Sequence, residues 1–405
     1  MTERVDVAII GAGQAGLATS WFLTQEGVEH AVLEAGRIAE TWRSRRWDSF
    51  RLVTPNWSIA LPGYRSAGVD PDGYLSRSEL VETFQSWVDS FGPPLRTGSP
   101  VKSLDAEGEG FRLTFAGGTL LAKSVVVATG AYQRPFRPSG SEGLPPSVVQ
   151  LFSEEYRNPE ALAPGAVLVV GSGQTGCQLA EELHESGRKV YLACGRCPWG
   201  PRRMAGRDIV WWSVVSGFLD RTPDMLPSPA ARLLGNVQAT GHHGGHDLHY
   251  RILHQAGIEL LGRFLGAEDG RIQFADDLAV SVDFGDRLTS MLIGMIRTYC
   301  EKSGTPVPDF ELPPPMRIAT RAELDVAADG VSTVIWTSGY RPDYDWVHLP
   351  VFDEMGFPVQ VDGASRVPGL YFMGVPWMRK AKSSILWGTG EDAEIVARQI
   401  VRVRP

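Results

Sequence analysis

Short, nearly continuous apolar runs alternate along this chain with longer runs of helical period. That alternation predicts strands of a buried parallel sheet joined by helices. Val5-Asp6-Val7-Ala8-Ile9-Ile10 reads as the first strand, residues 17–26 as a helix stopped by Gly27, and His30 to Leu33 as a second strand. Residues 78–91 put Leu80, Val81, Phe84, Trp87, Val88 and Phe91 on one helical face. A small β-meander is expected over residues 100–104, 111–115 and 120–122, followed by a buried strand at 125–130. Residues 132–164 are rich in Pro and Gly and read as a linker. The opening pattern then returns: a strand at 167–170, a helix at 177–185 closed by Gly187, and a strand at 190–193. Further on come an amphipathic helix at 286–300, a strand ending in a glycine turn over 334–343, a buried strand at 370–374, and a helix at 393–401.

The turn inside each strand–helix–strand unit carries the chemistry. Gly11-Ala12-Gly13-Gln14-Ala15-Gly16 and Gly171-Ser172-Gly173-Gln174-Thr175-Gly176 both fit G-x-G-x-x-G. In that pattern the first glycine makes the tight turn, the second lets backbone approach a pyrophosphate, and the third packs helix on strand. The helix N-terminus offers free N–H groups and a positive dipole end to the same anion. The two copies keep a constant offset of 160 residues at the first glycine, at the glycine closing the helix and at the tip of the second strand. They differ at that tip. Glu34, followed by Ala35, can accept hydrogen bonds from a ribose diol, whereas Cys194 stands in the second copy with Arg196, Arg202, Arg203 and Arg207 after it. A carboxylate would repel a ribose 2′-phosphate and guanidinium groups would bind it. The first site is therefore expected to take FAD and the second NADPH, with Arg196, Arg202 and Arg203 on the phosphate.

The expected fold class is α/β, with two Rossmann-like dinucleotide-binding domains, the second inserted into the first. The boundaries drawn are residues 1–160 with 325–405 for FAD and 161–324 for NADP, with an ill-defined insertion at about 207–290. A length of 405 residues suits two to three domains of about 150 residues each. With 43% hydrophobic and 21% charged residues the chain is globular, and a net charge of −8 argues against a nucleic-acid surface. The most apolar stretch, residues 209–219, is far shorter than the ~20 residues that span a bilayer. No secretory signal is read at the start, and four cysteines make no disulfide framework, so a cytoplasmic location is expected. A homodimer is the default expectation for oligomeric state.

Two clusters admit other readings. Cys194-Gly195-Arg196-Cys197 is a C-x-x-C pair and could serve a flavin disulfide reductase. It follows the second dinucleotide strand, where a ribose belongs, which favours coincidence. His242, His243, His246 and His249 form a dense patch around Gly244-Gly245. Its spacing matches no metal helix, so no metal is expected and the patch is read as a loop near a cofactor. Three more strand or helix ends are candidates for cofactor contact: Thr129-Gly130; Ser338-Gly339-Tyr340 and Gly374; and the helix start at Glu391-Asp392, whose dipole could face a reduced flavin.

Taken together, these residues resemble the class B flavin-dependent monooxygenases of the flavin-containing monooxygenase type. The likeness rests on Gly11 to Gly16, Thr41-Trp42-Arg43, Ser153-Glu154-Glu155-Tyr156-Arg157-Asn158-Pro159, Gly171 to Gly176, and Thr337-Ser338-Gly339-Tyr340-Arg341-Pro342-Asp343. Where that family's fingerprint has a histidine this chain has Phe152, with Ser153 and Tyr156 retained. The resemblance implies that NADPH reduces FAD and that dioxygen then forms a peroxide at flavin carbon 4a. That peroxide would oxygenate a small nitrogen or sulfur nucleophile, or a carbonyl compound. It also implies cofactor contacts from Thr41, Trp42, Arg43 and Thr54, and a catalytic asparagine near the flavin, for which Asn56 is the candidate. An NADPH oxidase or flavin reductase without oxygen insertion is the alternative.

Overall fold

The computed structural model describes residues 3–65 and 69–403. Among them, two sheets carry the fold. In the first, five parallel strands run in the order Leu370–Phe372, Gly118–Val127, Glu3–Ile10, His30–Leu33, Leu95–Arg96. The expected meander is present as Val101–Glu107 and Gly110–Phe115, antiparallel to one another and to the outer part of Gly118–Val127. The second sheet is wholly parallel, in the order Glu259–Leu261, Val190–Ala193, Ala166–Val170, Val331–Trp336, Val149–Phe152. Its strands and those of the first sheet form two βαβ units with the second inserted into the first.

Helix Gln174–Glu185 packs on one face of the second sheet and the antiparallel strands Phe264–Glu268, Arg271–Phe274 and Glu323–Asp325 on the other, so its central strands have no solvent side and read as unbroken apolar runs. Ala8, Ile9, Val167, Leu168 and Val169 are fully buried. Each such branched aliphatic side chain contributes about 1.5–3 kcal/mol relative to exposure. Helix Arg77–Phe91 forms where the six-residue apolar face was read, and it starts in a capping box, Ser76 with Glu79. The two motif helices, Gln14–Gln25 and Gln174–Glu185, behave differently at their starts. Neither has a side-chain cap. The helix read at 286–300 runs over Leu278–Ser303.

The domain boundaries need correction. Val149–Phe152 and Val331–Trp336 both lie in the second sheet, on the far side of the boundaries drawn at 160 and 325. The chain crosses between sheets within 128–148 and again within 337–369. The two crossings meet where Arg134–Pro135 pairs with Tyr340–Arg341. The segment read as a linker thus contains an edge strand. Residues 132–164 are rich in prolines, and Val149–Phe152 is only partly buried, so no apolar run marked it. None of the described helices is long and apolar enough to cross a membrane.

Candidate active site

Both glycine turns fold alike, and for the same reason. Gly11 sits at φ +102° and Gly171 at +106°. A Cβ on Gly11 would lie 2.6 Å from the carbonyl oxygen of Ala128, and one on Gly171 would lie 2.6 Å from that of Thr337. Each turn is therefore wedged against the end of the neighbouring strand, which only glycine allows. A Cβ on Gly16 or Gly176 would collide with the carbonyl of Gly11 or Gly171, so these glycines set helix against turn. Gly13 and Gly173 have open space on the side a Cβ would occupy. They precede two uncapped helix N-termini, whose first N–H groups have no intrahelical partner. That fits a pyrophosphate at each.

One cavity of about 1050 Å³ joins the two turns. Its wall includes Gly11 to Ala15, Glu34, Ala35, Thr41, Trp42, Thr54, Thr129, Gly130, Gly173 to Thr175, Gly339, Tyr340 and Gly374. These sequence-predicted residues are brought together from both sheets. Each motif glutamine also ties down a segment that covers the cavity. Gln14 donates to the Ser384 carbonyl (2.9 Å) and the Thr389 hydroxyl (3.1 Å), and Gln174 donates to the Val237 carbonyl (2.6 Å).

The strand tips hold their turns by different means. Glu34 accepts the Ala12 N–H on one carboxylate oxygen (2.7 Å) and the Gly36 N–H on the other (2.8 Å). Each oxygen keeps acceptor capacity for a ribose hydroxyl. At the second tip Cys194 is fully buried, and Ser172 performs the tie: its hydroxyl accepts the Gly195 N–H (2.9 Å) and bonds Tyr250 (2.5 Å). Ser172 and Gly171 thus shape the turn from behind and do not line the cavity. Tyr250 lies too far along the chain for local pattern to reveal it.

Several predicted site residues lie elsewhere. Asn56 does not reach the cavity wall: its amide donates to the Asp70 carbonyl (2.8 Å) and its oxygen accepts the Leu75 N–H (2.9 Å), so it pins a loop. Arg43 donates to the Ile38 carbonyl (2.8 Å), and its neighbours Arg45 and Arg46 face the cavity instead. Arg202 is buried and ion-paired with Asp208 at 2.6 Å. Arg203 donates to the carbonyls of Gly245 (2.7 Å) and Gly244 (2.9 Å). Neither arginine is at the second strand tip; Arg196, exposed beside Gly195, is the one that stays there. Ser338 donates to the Val170 carbonyl (3.2 Å). Glu391 pairs with Lys382 (2.5 Å) and Asp392 with Arg379 (2.9 Å), so the final helix start is a charge network outside the wall. The preceding segment, through Trp377, Ser384 and Leu386, lines the cavity in its place.

The histidine patch likewise stays off the cavity wall. It docks on the far end of the second motif helix: His246 meets Glu181 at 2.6 Å, while His242 and His243 meet Glu185 at 3.6 and 3.4 Å. One donor atom each from Glu185, His242 and His243 lie within 4.8 Å of one another, as ordinary ion pairs at a helix end would. The cysteines are free and buried, and none lines the cavity. Burial pushes the Cys197 thiol up to about 12 and raises Cys194 as well, so thiolate is scarce at this C-x-x-C.

Residues 8–207 match the family model described as pyridine nucleotide-disulphide oxidoreductase. The CzcO-like oxidoreductase of Geobacillus kaustophilus is 32% identical over 408 residues, covering 99% of each chain. This chain belongs to the CzcO-like oxidoreductase family. Such a chain is an oxidoreductase, which agrees with the reading of two dinucleotide turns. The chain's fold is similar to that of the flavin-containing monooxygenase from Stenotrophomonas maltophilia, with a TM-score of 0.69 at 19% identity over 99% of both chains. The rice indole-3-pyruvate monooxygenase YUCCA1 is 32% identical over 188 residues, which covers 45% of this chain and 46% of the rice protein. The resemblance to class B flavin monooxygenases thus finds its counterpart in the fold.

Proposed function

We propose that this oxidoreductase is an FAD- and NADPH-dependent monooxygenase acting on a small molecule, with dioxygen as co-substrate. The observation that carries the reading is the single cavity into which both glycine turns open. Two dinucleotides laid from those turns would bring their reactive rings into one space. Bound flavin supplies two-electron exchange between NADPH and dioxygen. Glu34 would hold the ribose of FAD, and the N-terminus of helix Gln14–Gln25 its pyrophosphate. Helix Gln174–Glu185 would hold the pyrophosphate of NADPH, with Arg196 as the cation available to its 2′-phosphate. Trp42, Phe50, Phe218 and Trp377 line the cavity and would exclude bulk water from the reacting rings. The name of the rice relative, a monooxygenase, supports oxygen insertion over simple reduction. Buried, high-pKa cysteines away from the cavity weigh against a disulfide reductase.

The test is stopped-flow absorbance of the FAD-loaded protein, reduced by NADPH and then mixed with dioxygen. A lasting absorbance distinct from oxidised and reduced flavin, with little hydrogen peroxide per NADPH consumed, is the expected result. Direct return to oxidised flavin with one hydrogen peroxide per NADPH would replace the reading with an NADPH oxidase.

A further inference from the structure

Among the described residues, two arginines of the cavity wall have no ion pair: Arg46, whose guanidinium lies over Trp42 and Phe50, and Arg221. Arg221 follows the turn Phe218–Asp220 and lines the cavity. Its guanidinium lies 3.8 Å from the centre of the Phe218 ring and 5.3 Å from that of Trp377, and its Nε donates to the Phe218 carbonyl at 3.0 Å. Among the described residues it forms no ion pair, and its two terminal nitrogens bond to no protein group. The acids nearby are committed elsewhere: Asp220 meets Lys380 (2.8 Å) and Lys382 (3.0 Å), and Glu391 meets the same two lysines. Two lysines and two carboxylates cancel, so neither acid is free to pair with Arg221. Burial holds its pKa below the usual arginine value, the mark of a guanidinium stripped of water without a counter-ion in return.

A second observation concerns the other shelf. Trp377 has φ +55°, a left-handed conformation that is an outlier for a bulky side chain. It also lines the cavity. Strain of this kind persists where the surroundings hold it and clusters at ligand clamps. Here it sets an indole into the wall next to the guanidinium.

We propose that Arg221 recognises an anionic substrate: a small molecule with a carboxylate on the guanidinium fork and an apolar, flat body beside Phe218 and Trp377. This rests on the cavity being the monooxygenase site proposed above. Two parallel N–H donors match a carboxylate in a bidentate pair, and a lysine could not reproduce that geometry. The competing source of negative charge is a cofactor phosphate. Against it, Arg221 belongs to neither glycine turn, and both turns already present a helix N-terminus to a pyrophosphate.

The binding titrations use the FAD-loaded protein without turnover, and the KM for NADPH is read separately in steady state. Phenylacetate and its neutral isostere phenylacetamide are titrated separately while the flavin difference spectrum is read, for the natural protein and for Arg221→Gln and Arg221→Lys. The natural protein should bind phenylacetate roughly tenfold or more tighter than the amide, as a hydrogen-bonded charge pair requires. Arg221→Gln should abolish that preference and leave amide binding unchanged, and Arg221→Lys should keep only part of it. FAD content and the KM for NADPH should not move. Equal binding of both probes by the natural protein, or a preference surviving in Arg221→Gln, overturns the proposal. So does a raised NADPH KM or lost FAD in that variant, which would assign the arginine to a cofactor phosphate. If the glutamine variant does not fold, full retention of the preference by Arg221→Lys overturns it equally. Because the titration involves no oxygen, its outcome is independent of whether the monooxygenase reading holds.

Discussion

Replacing Arg202 by leucine separates two roles that the sequence could not. If the side chain gripped a 2′-phosphate, its loss would raise the NADPH KM and spare the fold. The structure gives it other work. Arg202 is 2% exposed, and its guanidinium donates to Asp208 (2.6 Å), the Val53 carbonyl (2.9 Å) and the Tyr74 hydroxyl (3.0 Å). It also lies 4.6 Å from the centre of the Tyr74 ring. Removing one partner of a buried ion pair typically costs about 3–5 kcal/mol, because the other charge is left uncompensated. Asp208 keeps two donors, the Val210 N–H (2.8 Å) and the Tyr74 hydroxyl (2.7 Å), so the low end, about 3 kcal/mol, is expected. For a chain of 405 residues that corresponds to a fall in Tm of roughly 3–4 °C. Asp208 also caps helix Ile209–Val215, which lines the cavity, so cofactor retention should weaken alongside. Thermal unfolding by circular dichroism with saturating FAD, and KM values for NADPH and NADH, make the assay. Adding Asp208→Asn should recover part of the loss, since no unpaired charge then remains. A Tm within about 1 °C of the natural protein, with a rise in KM confined to NADPH, would refute the reasoning and return Arg202 to the phosphate.

Three further outcomes follow. Arg196→Ala should raise the KM for NADPH roughly tenfold and that for NADH much less, as loss of a charge-assisted bond predicts; equal effects in steady-state kinetics would place the phosphate elsewhere. Asn56→Ala should lower stability by about 1–3 kcal/mol, since Leu75 loses its acceptor, while hydrogen peroxide per NADPH stays unchanged; extra peroxide at an unchanged Tm would restore its catalytic role. The bond to Glu181, chiefly, raises the His246 pKa above 6.5, opposed by burial and reinforced by Glu185 and a backbone contact at His242. A raised folded pKa means that the stabilisation is complete below pH 6.5 and is lost as pH rises through the folded value. The Tm gap between the natural protein and His246→Asn should therefore be widest in mild acid and close towards alkaline pH, and a gap that widens with pH would contradict the pairing.

What could be read in advance follows from how far each interaction reaches along the chain. Gly11 to Gly16 and Glu34 lie within one strand–helix–strand unit, so their spacing already encodes the turn, the uncapped helix and the acid at the tip. The same holds for the second copy up to Cys194. Long charged side chains are different, because they choose partners by proximity in space. Arg202 finds Val53, Lys380 finds Asp220 and Tyr156 finds Glu182, and no local pattern announces any of them. A run of arginines after the second strand was a sound reason to expect phosphate binding there. Only the fold could show that two of the three are consumed in holding loops.

The same distinction explains why the substrate end of the cavity was the least legible part. It is built from segments 209–237 and 377–386, which follow no repeating period; the Ala381 N–H donates to the Arg221 carbonyl (2.8 Å), and each segment is also tied to a motif helix, by Gln174 at Val237 and by Gln14 at Ser384. The glycine turns thus do two things. They are shaped to take phosphates, and their glutamines fix the segments that close the space where the two rings would meet. Arg221 and Trp377 stand on those two segments, one on each. A change in either segment can therefore alter what the cavity accepts while both phosphate sites stay intact. On the proposed reading, substrate choice would be carried by the parts of the chain with the weakest pattern, and cofactor choice by the parts with the strongest.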